Sequence, residues 1–190
     1  MKKIFCLMFV AFIAMAAQAQ ITWNVKAGFG FSNCSSEGTE TNSTLVWKAG
    51  VGIEKPLSAN WSIMPSLEIA MKGCEVESED EYGSAGTTDV KISYIQIPVL
   101  AAYRYHLNDS YNLVAKAGPY FAYGITGKVG EYDLFDEGTG KRFDMGLDLG
   151  VDLEHERYVI GFEYEYGFTS IEEGWNTTIA AAYLTIGYKF

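Results

Sequence analysis

Six charged residues recur at alternate positions within apolar segments of the chain. They are Lys26, Lys48, Glu68, Lys116, Asp148 and Glu163. Three are positive and three are negative, and burying such groups is costly unless they are paired. If the segments enclose one interior, we expect these side chains to form a salt-bridged network that fills it. A gated proton or ion path along the network is the alternative.

The two histidines do not indicate hydrolytic chemistry. His106 and His155 fall in predicted short turns of different hairpins. Neither has a serine or cysteine neighbour arranged as nucleophile and base. We therefore expect both on turn surfaces, and we expect no catalytic residue, no metal site and no bound cofactor.

The first 19 residues have the pattern of an export signal. Lys2 and Lys3 form a basic start, Ile4 to Ala16 an apolar core and residues 17–19 a small-residue cleavage site. The mature domain is expected to span residues 20–190. No other stretch approaches the roughly 20 apolar residues of a membrane-spanning helix. Loss of the two lysines leaves 12 basic residues against 24 acidic ones, a net charge of −12, which argues against a nucleic-acid partner.

Two of the three cysteines remain after this cleavage, because Cys6 lies in the signal. Cys34 and Cys74 lack zinc-site spacing and have no nearby histidine. Both lie just beyond predicted strand ends. A disulfide would staple two long loops in an exported protein, and two separate free thiols are the other interpretation.

Eight segments alternate large apolar residues with glycine or charge, which is the period of a β-strand. They are residues 22–31, 44–54, 61–72, 90–105, 111–128, 143–153, 158–168 and 177–190. The alternation changes face near Ser93, which predicts a bulge. Pro65, Pro98 and Pro119 lie inside segments and cannot donate to a ladder, so we expect bulges or local unpairing beside them.

The predicted connections alternate between short and long. Residues 55–60, 106–110 and 155–157 are short, whereas residues 32–43, 73–89 and 129–140 are long. The long ones carry most of the acidic surplus, at Glu75, Glu77, Glu79, Asp80, Glu81, Asp89, Glu131, Asp133, Asp136 and Glu137. We expect solvated, mobile loops there, with weak divalent-cation binding to bridge lipid phosphates as the alternative.

Two features favour a membrane barrel over a soluble ligand-binding barrel. Ten glycines share the polar face, and glycine weakens a strand unless space is short, as in a crowded lumen. Aromatic residues of the apolar face collect at both strand ends, as at two membrane interfaces. The sequence therefore predicts an all-β, eight-stranded antiparallel up-and-down transmembrane barrel in the bacterial outer membrane, with its acidic long loops facing outward.

Short motifs resemble the PorT-like outer-membrane β-barrel family. They are Tyr94 to Leu100, Ala117 to Phe121, Asp148 to Gly150 and the closing Gly187 to Phe190. The resemblance covers nearly the whole mature chain and implies location and fold rather than activity, although one relative is linked to protein secretion. Tyr188 and Phe190 also fit the terminal aromatic signal read by the barrel-assembly machinery, with the glycine displaced to Gly187.

We expect a structural or surface-interaction protein that is not an enzyme and not a general porin, because an eight-stranded lumen is too narrow. Three alternatives stay open: a narrow, porin-like ion or small-solute channel, an outer-membrane enzyme acting on lipid A or peptides, and an accessory role in secretion. The expected partners are outer-membrane lipid, lipopolysaccharide and the barrel-assembly machinery, with an unknown surface or secretion partner besides.

Overall fold

A computed structural model describes residues 21–35, 41–79, 85–130, 132–135, 141–170 and 177–190. The predicted signal, residues 1–19, lies outside these ranges. Eight long strands account for most of the described chain. They are β1 (Thr22–Ser35), β2 (Thr44–Pro56), β3 (Trp61–Glu79), β4 (Ala85–His106), β5 (Tyr111–Val129), β6 (Phe143–His155), β7 (Tyr158–Gly167) and β8 (Thr178–Lys189).

The strands close into a barrel because the first pairs with the last. Each strand runs antiparallel to its chain neighbours, and β1 pairs with β8 from Asn24↔Lys189 to Ser35↔Thr178. This is the up-and-down, eight-stranded architecture that the sequence predicts. In the described ranges, no helix is long and apolar enough to cross a membrane.

The two ends of the barrel differ. At the short-turn end, β2–β3, β4–β5 and β6–β7 are joined by residues 57–60, 107–110 and 156–157. Backbone hydrogen bonds such as Leu57 N to Trp61 O, 2.8 Å, close these turns. At the opposite, long-connection end, two-residue strands add to the sheet: Thr41–Asn42 beside β3 and Tyr132–Asp133 beside β5.

The expected long loop at residues 73–89 is wrong. Strand β3 continues to Glu79 and β4 begins at Ala85, with seven further pairs from Gly73↔Lys91 to Glu79↔Ala85. The glutamates in this segment are typical of a solvated loop. The hydrogen bonds of a β-ladder join backbone groups only, so a strand can carry acidic side chains. Of the predicted loop acids, Asp80, Glu81, Glu131, Asp136 and Glu137 lie outside the described residues.

The bulge predicted near Ser93 is confirmed, but its extra residue is on the neighbouring strand. The register of β4 with β5 shifts between Ser93 and Tyr94. Ser93 pairs with Thr126 and Tyr94 with Gly124, so Ile125 of β5 has no partner on β4. On β4 itself the inward alternation continues through Ile92, Tyr94 and Gln96, all buried. The apparent change of face in the sequence arose because Ile92 is an apolar residue inside the barrel.

Each of the three prolines inside the strands, Pro65, Pro98 and Pro119, lies beside an interruption in one ladder, as predicted. Pairing of β2 with β3 skips from Gly52↔Ser66 to Lys55↔Ile63, beside Pro65. The β3–β4 ladder is interrupted beside Pro98 and the β4–β5 ladder beside Pro119. Each of these prolines stays paired with the strand on its other side, as Pro65↔Val99, Pro98↔Tyr120 and Pro119↔Leu147.

Large apolar side chains cover the outside of the barrel. Val151, Phe162 and Leu184 are each 47–53 % exposed, an arrangement that water would not favour. Aromatic residues mark both ends of this belt: Trp61 packs edge-on against Tyr103 at the short-turn end, and Tyr166 against Phe168 at the other. The polar face of the strands is consequently turned inward.

Candidate functional site

The inside of the barrel holds a layer of interlocked charges at mid-height, here called the central layer. It comprises Lys26, Lys48, Lys116, Glu68, Gln96, Asp148, Asp152, Glu163 and Glu165. The structure thus brings all six charged residues named from the sequence into one interior. Among the described residues, five of the six have a salt-bridge partner and Asp148 has none.

Glu163 contacts three lysines of the central layer. Its carboxylate accepts from Lys26 at 3.0 Å and from Lys116 at 2.7 Å, and it also contacts Lys48. Lys48 reaches Glu165 at 2.9 Å as well. Such charge-assisted bonds compensate the cost of removing these groups from water.

Two ion pairs of the central layer, Lys26–Glu68 and Lys116–Glu163, each join strands that are separated by one intervening strand. The first pair shows the pattern. In one ladder row Lys26 pairs with Gly50, and Gly50 pairs with Glu68. Lys26 Nζ crosses above the glycine to Glu68 Oε1 at 2.8 Å. A Cβ at Gly50 would lie 2.5 Å from Glu68 Cγ and 2.6 Å from Leu67 O, so the middle of this row has no room for a side chain.

Asp148 is fully buried, yet in the described part of the chain neither of its carboxylate oxygens has a hydrogen-bond partner. It pairs across the ladder with Glu165 on β7 and with Gly118 on β5. A buried carboxylate without a donor is uncommon in native proteins. Asp148 therefore lies inside the barrel as predicted, but in the described chain it has no hydrogen bond to the other network residues.

Two further charge clusters were missed by the sequence analysis, which considered only mid-height positions. At the short-turn end, Arg104 contacts Glu54 at 2.6 Å and Glu154 at 3.1 Å, and Lys189 contacts the same two glutamates. We call these four residues the end ring. They continue the inward alternation of their strands, which is the sequence signal that could have located them.

The second missed cluster surrounds Lys72 above the central layer. Lys72 Nζ lies 2.7 Å from Glu165 and 3.9 Å from the centre of the Tyr120 ring. The Tyr120 hydroxyl donates to Asp144 at 2.9 Å. Tyr120 shares the alternation of the polar face, which is the sequence signal that could have placed it in the lumen.

An apolar plug fills the lumen at the long-connection end. Its buried members are Cys34, Cys74, Ile92, Tyr94, Tyr120, Ala122, Phe135 and Ile179. Cys34 and Cys74 form a disulfide with Cα atoms 5.6 Å apart, so the structure places the two as a bonded pair. Beside it the Ser32 hydroxyl donates to Gly73 O at 2.5 Å and accepts from Gly73 N at 2.8 Å.

Little free space remains between these layers. The cavity lined by Lys26, Lys116, Asp152 and Lys189 has a volume of about 50 Å³, enough for a few water molecules. Glu68, Glu163 and Glu165 carry oxygens within 4.8 Å of one another, a set that could hold a metal ion. Lys48 Nζ already lies among them, because it contacts all three.

The two histidines lie at the short-turn end, as the last residues of β4 and β6. His106 Nδ1 is 2.5 Å from Asn112 Oδ1, and the His155 ring stacks on Tyr111 at 4.4 Å. His155 lies in the aromatic border of the barrel beside Tyr111, and His106 is exposed at the short-turn end. Neither contact sets up a nucleophile and base.

Known structures share this fold at low sequence identity. Neisserial surface protein A is 12 % identical, with 88 % of this chain and 97 % of that chain covered and a TM-score of 0.55. OprG from Pseudomonas aeruginosa is 12 % identical, with 89 % and 95 % covered and a TM-score of 0.51. The outer membrane enzyme PagL is also 12 % identical, with 87 % and 98 % covered and a TM-score of 0.50.

These likenesses support the fold alone, and one of these barrels is an enzyme, so the fold does not decide for or against catalysis. A search of curated proteins found no match. The model of one protein family, described as outer membrane protein beta-barrel domain, matches residues 16–173. The chain therefore belongs to this family of bacterial outer-membrane β-barrels.

Proposed function

We propose that the protein is a non-catalytic outer-membrane barrel that holds a rigid β-platform above the membrane for interaction with a partner outside the cell. The platform consists of the β3–β4 hairpin beyond Gly73 and Lys91, the end of β5, and the two-residue strands Thr41–Asn42 and Tyr132–Asp133. In this proposal the long-connection end faces outward, as is usual for such barrels.

The observation that carries the proposal is the length of the β3–β4 hairpin. Seven residue pairs continue past the apolar belt, which at 3.4 Å per residue gives a projection of roughly 20 Å. Strand β7, by contrast, ends after 10 residues. A barrel that only needed to span lipid would not require this extension.

The base of the platform is fixed to the barrel. The Cys34–Cys74 disulfide joins β1 to β3 where the hairpin leaves the belt, and Phe135 packs into the plug beneath. The Arg142 guanidinium lies 4.2 Å from the centre of the Phe135 ring. Ordering the surface in advance lowers the entropic cost of binding a partner.

The filled interior supports an anchoring role over transport. The end ring, the central layer and the apolar plug follow one another along the lumen, and the cavity between charge layers is about 50 Å³. We propose that the lumen does not conduct ions and that the protein has no catalytic activity. We also propose that it contacts lipid, lipopolysaccharide and the barrel-assembly machinery in the way that other outer-membrane barrels do. The narrower likeness to the PorT-like family also stays a proposal.

A hairpin-shortened variant tests this function. Because Cys74 pairs with Val90, residues 75–89 can be replaced by Asn-Gly, which closes a two-residue hairpin and keeps the disulfide. In cells lacking the wild-type gene, the shortened barrel should restore resistance to detergents but not attachment to surfaces or to other cells. Full restoration of both would refute the platform role. Single-channel currents from the wild-type protein in planar bilayers would establish the channel instead.

A further inference from the structure

We propose that Asp148 is a proton-binding site, and that the folded barrel holds this residue as a neutral carboxylic acid. The site lies inside the central layer, on β6, and is fully buried. The ligand is the proton itself, enclosed between the end ring and the apolar plug. The inference concerns the lumen and does not depend on the platform.

The first argument is the balance of charge. Above the end ring, the described lumen contains four lysines and six carboxylates. The lysines are Lys26, Lys48, Lys72 and Lys116, and the carboxylates are Glu68, Asp144, Asp148, Asp152, Glu163 and Glu165. Arg142, part-buried against Phe135 in the plug, is a fifth cation. The end ring adds no compensation, since it holds two basic and two acidic groups. One negative charge is therefore in surplus, and a low-dielectric interior does not tolerate it without a counter-charge.

The second argument is that five of the six carboxylates have donors and Asp148 has none. Asp152, Glu163 and Glu165 each contact a lysine within 3 Å. Glu68 contacts Lys26 and accepts from Ser66 and Gln96, and Asp144 accepts from Tyr120. In the described chain, neither oxygen of Asp148 has a hydrogen-bond partner. A proton would make this group a donor and remove its uncompensated charge.

The third argument is the position of Asp148 beside another acid. It is directly paired with Glu165 across the β6–β7 ladder, and both side chains face the lumen. Lys48 and Lys72 hold Glu165 as a carboxylate. Adjacent carboxylates that cannot both ionise share one proton, and Asp148 is the member without a cation of its own.

The other charged or titratable groups facing this interior come from every neighbouring strand. They are Lys26 on β1, Lys48 on β2, Glu68 and Lys72 on β3, Tyr94 on β4, Lys116 and Tyr120 on β5, Arg142 immediately before β6, Asp144 and Asp152 on β6, Glu163 and Glu165 on β7, and Tyr183 on β8. Each of these lysines is already engaged by another carboxylate. The strand pairing thus leaves the proton as the counter-charge for Asp148.

Infrared spectroscopy of the folded barrel in lipid vesicles tests the site. At neutral pH we expect a carboxylic-acid C=O band that shifts when aspartate is labelled with ¹³C at the carboxyl group and disappears in Asp148→Asn. Absence of a labelled acid band in the wild-type protein would overturn the proposal, and this readout needs no variant to fold.

A matched pair of variants provides the second readout. Asp148→Asn replaces a neutral acid with a neutral isostere, so the urea midpoint at neutral pH should stay near that of the wild type. Glu165→Gln removes the acceptor of Lys48 and Lys72 and should lower the midpoint clearly. If Asp148→Asn were as damaging as Glu165→Gln, Asp148 would be an ionised network member and the proposal would fail.

Discussion

Lys116 and Glu163 lie on strands two apart and meet above Gly150, the residue that separates them in the ladder. Lys116 pairs with Gly150 on β6, Gly150 pairs with Glu163 on β7, and the Nζ to Oε1 distance is 2.7 Å. The same arrangement joins Lys26 to Glu68 above Gly50. Glycine in these rows provides the space in which a lysine and a glutamate can bond across an intervening strand.

Gly150→Val should therefore destabilise the barrel by forcing Lys116 and Glu163 apart. A Cβ at this position would lie 3.0 Å from Lys116 Cε and 3.1 Å from Glu163 Cγ, and valine adds two further carbons. Overpacking of this kind costs about 1–3 kcal/mol. The free energy of unfolding in urea, measured in lipid vesicles, gives the value. Leu149→Val, on the lipid-facing side of the same strand, is the control, and equal losses for both variants would contradict the role of the glycine.

Lys48→Met should be among the most damaging single changes in the lumen. Its ammonium contacts Glu163, Glu165 and Glu68, and it lies 4.6 Å from the centre of the Tyr183 ring. Removing one partner of a buried ion pair costs about 3–5 kcal/mol, because the remaining charges stay desolvated. The urea midpoint and the heat-modifiable gel shift should both report the loss.

Lys91→Met is the control for this prediction, because its 2.8 Å pair with Asp89 is solvent-exposed. Exposed pairs contribute little to stability, so this variant should unfold like the wild type. A small effect of Lys48→Met, similar to that of Lys91→Met, would mean that the central layer is hydrated enough to replace the lost ammonium.

The sequence predicts the faces of the strands well because alternation is a local property. Lys26 and Glu163 stand at positions that point inward in any barrel with this period. Which lysine meets which glutamate is not local. It depends on register and shear around the closed sheet, and the contact of Lys48 with Glu165 joins residues 117 apart in the chain.

The extent of the β3–β4 hairpin and the content of the plug escaped prediction for a different reason. Glu75 and Glu77 break the apolar pattern, but a strand in water does not need an apolar face to keep its backbone bonds. Tyr94 and Tyr120 are assigned to neither face in the sequence analysis, and each ring lies within 6 Å of Lys72 Nζ in the lumen. Residue type alone cannot distinguish a dry plug from a membrane surface, because both are apolar.

Removing the disulfide should loosen the platform and spare the barrel. The Cys34→Ala, Cys74→Ala double variant frees a loop of 40 residues, for which chain-entropy estimates give about 3–4 kcal/mol. The β3–β4 hairpin should be cleaved faster by protease added outside intact cells, while the gel shift of the folded barrel persists. The wild type treated with a reductant is the parallel sample, and unchanged cleavage in both would show that the plug alone fixes the hairpin.

The last residue should matter more for assembly in cells than for stability. The Phe190 amide donates to Trp23 O at 2.8 Å and its ring packs against Tyr188 at 5.2 Å, but 66 % of the residue stays exposed. Little packing is lost in Phe190→Ala, whereas a terminal aromatic is the feature proposed to engage the barrel-assembly machinery. We expect the folded fraction in outer membranes to fall several-fold, while purified chains refold into detergent with nearly the wild-type yield.

Phe168→Ala is the control for this prediction. Phe168 is 58 % exposed at the opposite end of the barrel, so its replacement removes a comparable ring and should leave both yields unchanged. If the two variants accumulated equally in cells, the terminal aromatic would have no special role in assembly, and Phe190 would be one more member of the interfacial belt.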